Sequence, residues 1–167
     1  MKTFLIGDTH FGHRNILSFK KKDGSMLRPY FSSIEEHDEY LISQWNKTVS
    51  VGDKVYHLGD VGFKNFTQLK LIFDRLNGTK VLIKGNHDNF KLSQYAQIFK
   101  DIRGSHQLDK FVLTHIPVHP SSLDRWVANI HGHVHSNTLD DFRYVNVSVE
   151  NLDDYTPIDF ELIRKKF

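Results

Sequence analysis

Five short apolar runs punctuate the chain, and each leads into a residue that can ligate a metal. Residues 4–7 (FLIG) precede Asp8, residues 55–59 (VYHLG) precede Asp60, and residues 81–85 (VLIKG) precede Asn86. Further on, residues 111–114 (FVLT) precede His115 and residues 128–132 (ANIHG) precede His133. Such runs are too brief for helices, and turn residues bound the first four, so the pattern predicts buried strands. A glycine at the end of most of them permits a tight turn or a close backbone approach there.

Between the strands the period changes to that of a helix. Ser33 and Glu36 have capping-box spacing, and Ile34, Leu41 and Trp45 follow at helical intervals. Leu69, Ile72, Phe73 and Leu76 recur at i, i+3, i+4 and i+7, with Gly78 as the expected C-cap. In residues 144–150 (YVNVSVE), Val145, Val147 and Val149 alternate with polar neighbours, which predicts a strand with one buried face. Residues 156–159 (TPID) are expected to open a short C-terminal helix, with Pro157 near its first turn. Alternating strands and helices read as a layered α/β protein, and 167 residues suit one domain over 1–167. In open α/β sheets, ligand sites lie beyond the carboxyl ends of the strands. That edge would gather Asp8, His10, Asp60, Asn86, His87, His115, His133 and His135 from separated segments.

Composition narrows the chemistry. The chain has no cysteine, which excludes disulfides and thiolate sites and leaves nitrogen and oxygen donors. Those donors suit Mn, Fe, Zn, Ni or Mg. A net charge of +2 tolerates a phosphate-bearing substrate but is too small to predict tight nucleic-acid binding. The N-terminus lacks a signal-type apolar stretch, and no run approaches the ~20 apolar residues of a membrane span. The expectation is a cytoplasmic protein without membrane contact. Matches to N-x-[ST], such as residues 46–48, carry no weight without a secretory signal.

Eleven histidines occur, three of them within residues 131–135 (HGHVH). Taken singly, residues 8–10 (DTH), 58–60 (LGD) and 85–88 (GNHD) are also ordinary turn sequences. Jointly they say more. Residues two apart in an extended segment share a side, so Asp8 with His10, and His133 with His135, can each face one centre. Seven potential ligands exceed the needs of one four- to six-coordinate ion. Two ions sharing a bridging carboxylate would use them all, at the separation of roughly 3.5–4 Å typical of two-metal phosphoryl-transfer sites. Neutral imidazoles would let such a site hold two cations without excess negative charge.

The ordered motifs D-x-H (8–10), G-D (59–60), G-N-H-D (85–88), His115 and G-H-x-H (132–135) resemble those of the calcineurin-like metallophosphoesterase family. The likeness is to its small, cap-less bacterial and phage-type members. That resemblance implies a four-layer αββα sandwich, two mixed β-sheets flanked by helices. It implies two divalent metal ions per chain, manganese first among the candidates. Asp8, His10, Asp60 and His135 would hold one ion, Asn86, His115 and His133 would complete the other, and Asp60 would bridge. It further implies direct attack on phosphorus by a metal-bridging hydroxide. His87 would contact the phosphate and protonate the leaving oxygen, and Asp88 would orient His87. The substrate would be a small phosphate ester, monoester or diester, with nucleotides among the candidates. A non-catalytic scaffold on the same fold is the alternative, but here no ligand is missing. A single structural metal site is disfavoured by the ligand count and the lack of cysteine.

The remaining residues divide. Residues 11 to about 33 hold Arg14, Lys20, Lys21, Lys22 and Arg28 among aromatics. One reading makes this segment a flap, with Arg14 or Arg28 binding a second phosphate or a nucleotide. The other packs its phenylalanines on the core and solvates its charges. His13 and His119 lie near ligands and are candidates for touching substrate or supporting the site. His131 is expected to be buried and hydrogen-bonded, and His57 to pack within its strand. His37 and His106 read as surface residues, and residues 20–22 (KKK) and 35–39 (EEHDE) as solvated faces.

Overall fold

A computed structural model describes residues 1–167. Nine strands form two mixed sheets. In the first, β1 (Thr3–Ile6), β2 (Lys54–His57), β3 (Thr79–Ile83) and β4 (Asp101–Arg103) run parallel, in the spatial order β4-β3-β2-β1. The two-residue β9 (Ile158–Asp159) closes that edge antiparallel to β1. In the second sheet β6 (Phe111–Thr114), β7 (Ala128–His131) and β8 (Tyr144–Asn146) are parallel, and β5 (Ser105–Leu108) pairs antiparallel with β6. Helices α1 (Ile34–Thr48), α2 (Phe66–Asp74), α3 (Leu92–Tyr95) and α4 (Phe160–Arg164) flank the sheets. All five runs that precede candidate ligands are strands β1, β2, β3, β6 and β7.

One hydrophobic cluster draws on both sheets and on α1 and α2, so the layers share a core. Leu5, Val55 and Leu82 meet Leu113 and Ile130 in it, with Leu41, Trp45, Leu69 and Phe73 supplied by the two helices. Trp45 is buried and its Nε1–H donates to Asn77 O at 3.0 Å, which satisfies its one polar group. Truncation there to alanine should cost about 3–5 kcal/mol.

The two sheets are stitched together where the site forms. Gly7 donates from its N to Val147 O and accepts at its O from Val149 N, at 2.8 and 3.0 Å. This bridge sets the carboxyl end of β1 beside the residues that follow β7 and β8. The chain's chemistry-bearing turns therefore face one another across the sheet junction.

Several elements depart from the sequence pattern. Ser33 Oγ accepts from Glu36 N, but the Glu36 carboxylate turns to Ser32 instead of completing the capping box. Helix α2 ends at Asp74, so Leu76 lies past it and Gly78 is not its cap. Gly78 instead makes the left-handed turn (φ +85°) into β3. Strand β8 stops at Asn146, because Ser148 and Val149 turn toward Gly7 and begin a 3-10 turn. After Pro157 the chain forms β9 before any helix, and α4 starts at Phe160 with Asp159 as its N-cap. Residues 35–39 are not wholly solvated: His37 and Asp38 are buried on the inner face of α1. His106 is half-buried beside Tyr56. No helix is long and apolar enough to cross a membrane.

Candidate metal centre

Backbone geometry aims the candidate ligands. Asp8, His10, Asp60, His133 and His135 all take positive φ, between 51° and 69°. That left-handed region is uncommon for residues other than glycine, though Asp and His visit it more than most. Each such residue turns its chain sharply out of an extended path, so that the side chain points into the junction between the sheets. Close approach by glycine makes room for them. A Cβ on Gly85 would collide with Asp60 Oδ1, and one on Gly132 with Asp8 Oδ2.

The structure brings all seven predicted ligands together. Asp8, His10 and His135 form one donor group, and Asp60, His115 and His133 a second. Within each group the donor atoms lie no more than 4.8 Å apart. Asp60 faces both: its Oδ2 is 3.9 Å from His10 Nε2 and 3.4 Å from His115 Nε2. Asn86 Oδ1 sits 2.8 Å from His115 Nε2 and 3.0 Å from His133 Nδ1, on the second group's side.

Unsatisfied atoms test whether cations fit here. Asp8 Oδ1 and His10 Nε2 are buried and have no hydrogen-bond partner, a costly state for a carboxylate oxygen. Burial pushes the Asp8 carboxyl up to about 6, although His135 and His115 pull the other way. Burial also holds the His10 imidazole well below its ordinary range, reinforced by Arg28, so it stays a neutral donor. Burial opposes charge on His115 and His135, yet Asp60 and Glu150 respectively outweigh it and raise both. Buried nitrogen and oxygen donors left without partners suit divalent ions.

Supporting residues fix the ring orientations. His135 Nδ1–H donates to Glu150 Oε1 at 2.9 Å, which leaves Nε2 for the Asp8 group. His115 Nδ1–H donates to Leu58 O, which likewise frees its Nε2. His10 Nδ1 meets His13 Nδ1 at 3.0 Å, and the His13 ring stacks on Phe63 with centroids 3.9 Å apart. Asp8 Oδ2 accepts from Ser148 Oγ and from His133 N. Thr9 Oγ–H donates to Val61 O and accepts from His57 Nε2–H, while His57 Nδ1 accepts from Gly59 N. Buried His57 is thus a neutral brace between β1 and β2, and burial depresses its pKa to about 3. His131 is buried, with its Nδ1–H on Gly132 O.

Other sequence assignments move. Arg28 does not face a substrate. It is fully buried and donates to Thr9 O, Asp8 O and Glu150 Oε1, so it clamps the turn after β1. Its Nη1–H also donates to His37 Nε2, and His37 Nδ1–H donates to Asp38, whose carboxylate receives Gly12 N. Arg14 is exposed and sits 3.8 Å from Glu35. His119 is exposed and caps the 3-10 turn Pro120–Ser122 through Ser121 N. Asp88 does not touch the His87 ring. Its oxygens accept from the backbone N of Asp60, Val61 and Gly85, because three inward-pointing amides converge on that buried position. His87 itself is exposed at the mouth, its N–H on Asp60 Oδ1 and its ring 5.3 Å from Phe63.

Sequence reasoning missed Glu150, Ser148 and Phe63. Glu150 lies 122 residues from Arg28, and no local pattern links them. Burial works to raise the Glu150 carboxyl, but Arg28 and then His135 outweigh it and hold it at about 2.

Comparison with known proteins bears on the fold. A family model described as calcineurin-like phosphoesterase matches residues 1–166. An uncharacterized protein of Methanocaldococcus jannaschii is 38% identical over 175 residues, covering 98% of this chain and 90% of that one. The gene 66 protein of Mycobacterium phage L5 is 33% identical over 90 residues, covering 52% of this chain and 39% of that protein. A crystal structure of a protein of unknown function from Aquifex aeolicus superposes with a TM-score of 0.76 at 25% identity, over 99% of both chains.

Proposed function

Because the chain belongs to the calcineurin-like phosphoesterase family, we propose that it is a phosphohydrolase that works with two divalent metal ions. The observation that carries this reading is the pair of donor groups with Asp60 facing both. Asp8, His10 and His135 would hold one ion, His115, His133 and Asn86 the other, and Asp60 would lie between them. Manganese is the first ion to test. When bound, the ions would polarise the phosphoryl group and acidify water.

The protein's own residues would do the rest. Asn86 and His87 stand at the open mouth, where a phosphate ester would enter. His87 would give its imidazole proton to the departing oxygen, and its N–H on Asp60 Oδ1 fixes the base of that side chain. Phe63 lies against His13 and His87 and would limit water on that side. The arrangement serves a phosphate monoester or diester of modest size, acted on in the cytoplasm.

A hydrolysis assay tests the proposal. Protein stripped by chelator would receive Mn, Ni, Zn or Mg in turn, with a chromogenic monoester and a chromogenic diester as substrates. Metal-dependent turnover of either supports the reading, and the rate ratio narrows the substrate. Two bound ions with no turnover of any ester would overturn it.

A further inference from the structure

The lysine run is exposed, as its sequence suggests, and its side chains also line a cavity next to the candidate metal centre. Phe19 to Leu27 form a small hairpin. Leu27 N donates to Phe19 O, Lys21 N donates to Ser25 O, and Gly24 turns the tip at φ +85°. Between this hairpin and the segment after β7 lies a cavity of about 380 Å³, large enough for a small ligand. Its walls include Lys20, Lys21, Lys22 and Phe19 on one side and His135, Ser136 and Asn137 on the other. His135 is a candidate metal ligand, so the cavity borders the candidate metal centre.

Charge and shape together indicate what enters. None of the three lysines makes an ion pair within the chain, since the carboxylate nearest in sequence, Asp23, accepts from Ser25 N and Oγ. Arg14 and Arg28 are both engaged elsewhere, so these lysines are the free cations of the insertion. Phe19 and Phe63 are 40% and 43% exposed and flank His13, which gives flat apolar surface beside the site. Aromatic faces of this kind stack on nucleobases. A larger cavity of about 490 Å³ also borders Lys21, but Glu150, Asp153 and Asp154 line it as well and would repel an anion, which leaves Lys20 and Lys22 as the cations that line the smaller cavity alone.

Resting on the phosphohydrolase reading above, we propose that the Lys20–Lys22 cavity is a subsite for a second phosphate of the substrate. The substrate class is then a nucleotide-type ester carrying two phosphate groups, one at the metals and one on the lysines. Contacts by exposed lysines are weak singly, about two- to threefold each, so three should give roughly tenfold.

The test compares p-nitrophenyl esters of thymidine monophosphate with those of thymidine 3′,5′-bisphosphate, in both regioisomers. For the native protein one bisphosphate ester should show a kcat/KM about tenfold above the monophosphate ester. In the variant combining Lys20→Gln, Lys21→Gln and Lys22→Gln that gain should vanish, with the monophosphate rate unchanged. An equal gain in both proteins, or no gain in either regioisomer, overturns the subsite. Should no ester be hydrolysed, the phosphohydrolase reading fails separately. Calorimetric binding of thymidine 3′,5′-bisphosphate to chelator-treated protein then decides the subsite: about tenfold weaker binding by the variant supports it, and equal binding refutes it.

Discussion

His135 donates its Nδ1–H to the same Glu150 oxygen that receives Nε and Nη2 of Arg28. One buried carboxylate therefore orients a candidate ligand and anchors the guanidinium that clamps the turn after β1. Glutamine at this position would keep the size but not the charge. We expect Glu150→Gln to weaken metal binding at the Asp8 group by ~10- to 100-fold, the usual effect of removing a partner behind a ligating imidazole. Manganese titration by calorimetry reads this. The unfolding midpoint should fall too, since Arg28 loses its counter-charge in a buried position. Unchanged affinity would show that His135 needs no such support.

Removing the imidazole at the mouth should separate chemistry from metal binding. His87→Ala is expected to bind metal as the native protein does. On an alkyl phosphoester, whose leaving group is poor, its rate should fall ~100- to 10,000-fold, the range for general acid catalysis. On a p-nitrophenyl ester, whose leaving group needs little protonation, the loss should be much smaller. Equal losses on the two substrates would remove His87 from the proton-donor role.

A single methyl group at the back of the site should displace a ligand. Gly132→Ala would press a Cβ against Asp8 Oδ2, whereas Gly104→Ala meets nothing within 4 Å. Metal affinity should drop at least ~10-fold in the first and stay unchanged in the second. Elemental analysis after gel filtration distinguishes them. Full metal occupancy in Gly132→Ala would mean that Asp8 is not held where the close glycine approach implies.

Stability should decline in acid for a reason independent of metal. His57 titrates near 6.5 when unfolded but burial depresses it to about 3 in the fold. Below pH 6.5 the unfolded chain takes up a proton that the folded chain refuses. The contribution of His57 is therefore complete above about 6.5 and is lost as pH falls toward 3. Thermal unfolding of chelator-treated protein should show this slope, and His57→Gln should flatten it between pH 6.5 and 4. An identical slope in the variant would assign acid lability elsewhere.

The site was more legible in the sequence than its supports. Asp8, Asp60, Asn86, His115 and His133 announce themselves because each follows a short apolar run, and strand ends are where parallel sheets place ligands. Arg28 and Glu150 carry no such marker, since their meaning comes from a contact between distant segments. His37 and Asp38 were hidden by their acidic neighbours. Their spacing after Ile34 and before Leu41 places them on the buried stripe of α1, and the helical period, rather than local polarity, was the informative signal. At the ends of α2 and β8 the period misleads instead: the turn at Gly78 and backbone pairing with Gly7 override the helical spacing of one and the side-chain alternation of the other.

Left-handed backbone at five candidate ligands has a consequence for how this fold can change. Glycine would relax the local conformation at Asp8, His10, Asp60, His133 or His135 while deleting the donor atom. Backbone ease and metal capture thus pull in opposite directions at the same positions. A chain selected only for durability would drift toward an inert sandwich, one glycine at a time.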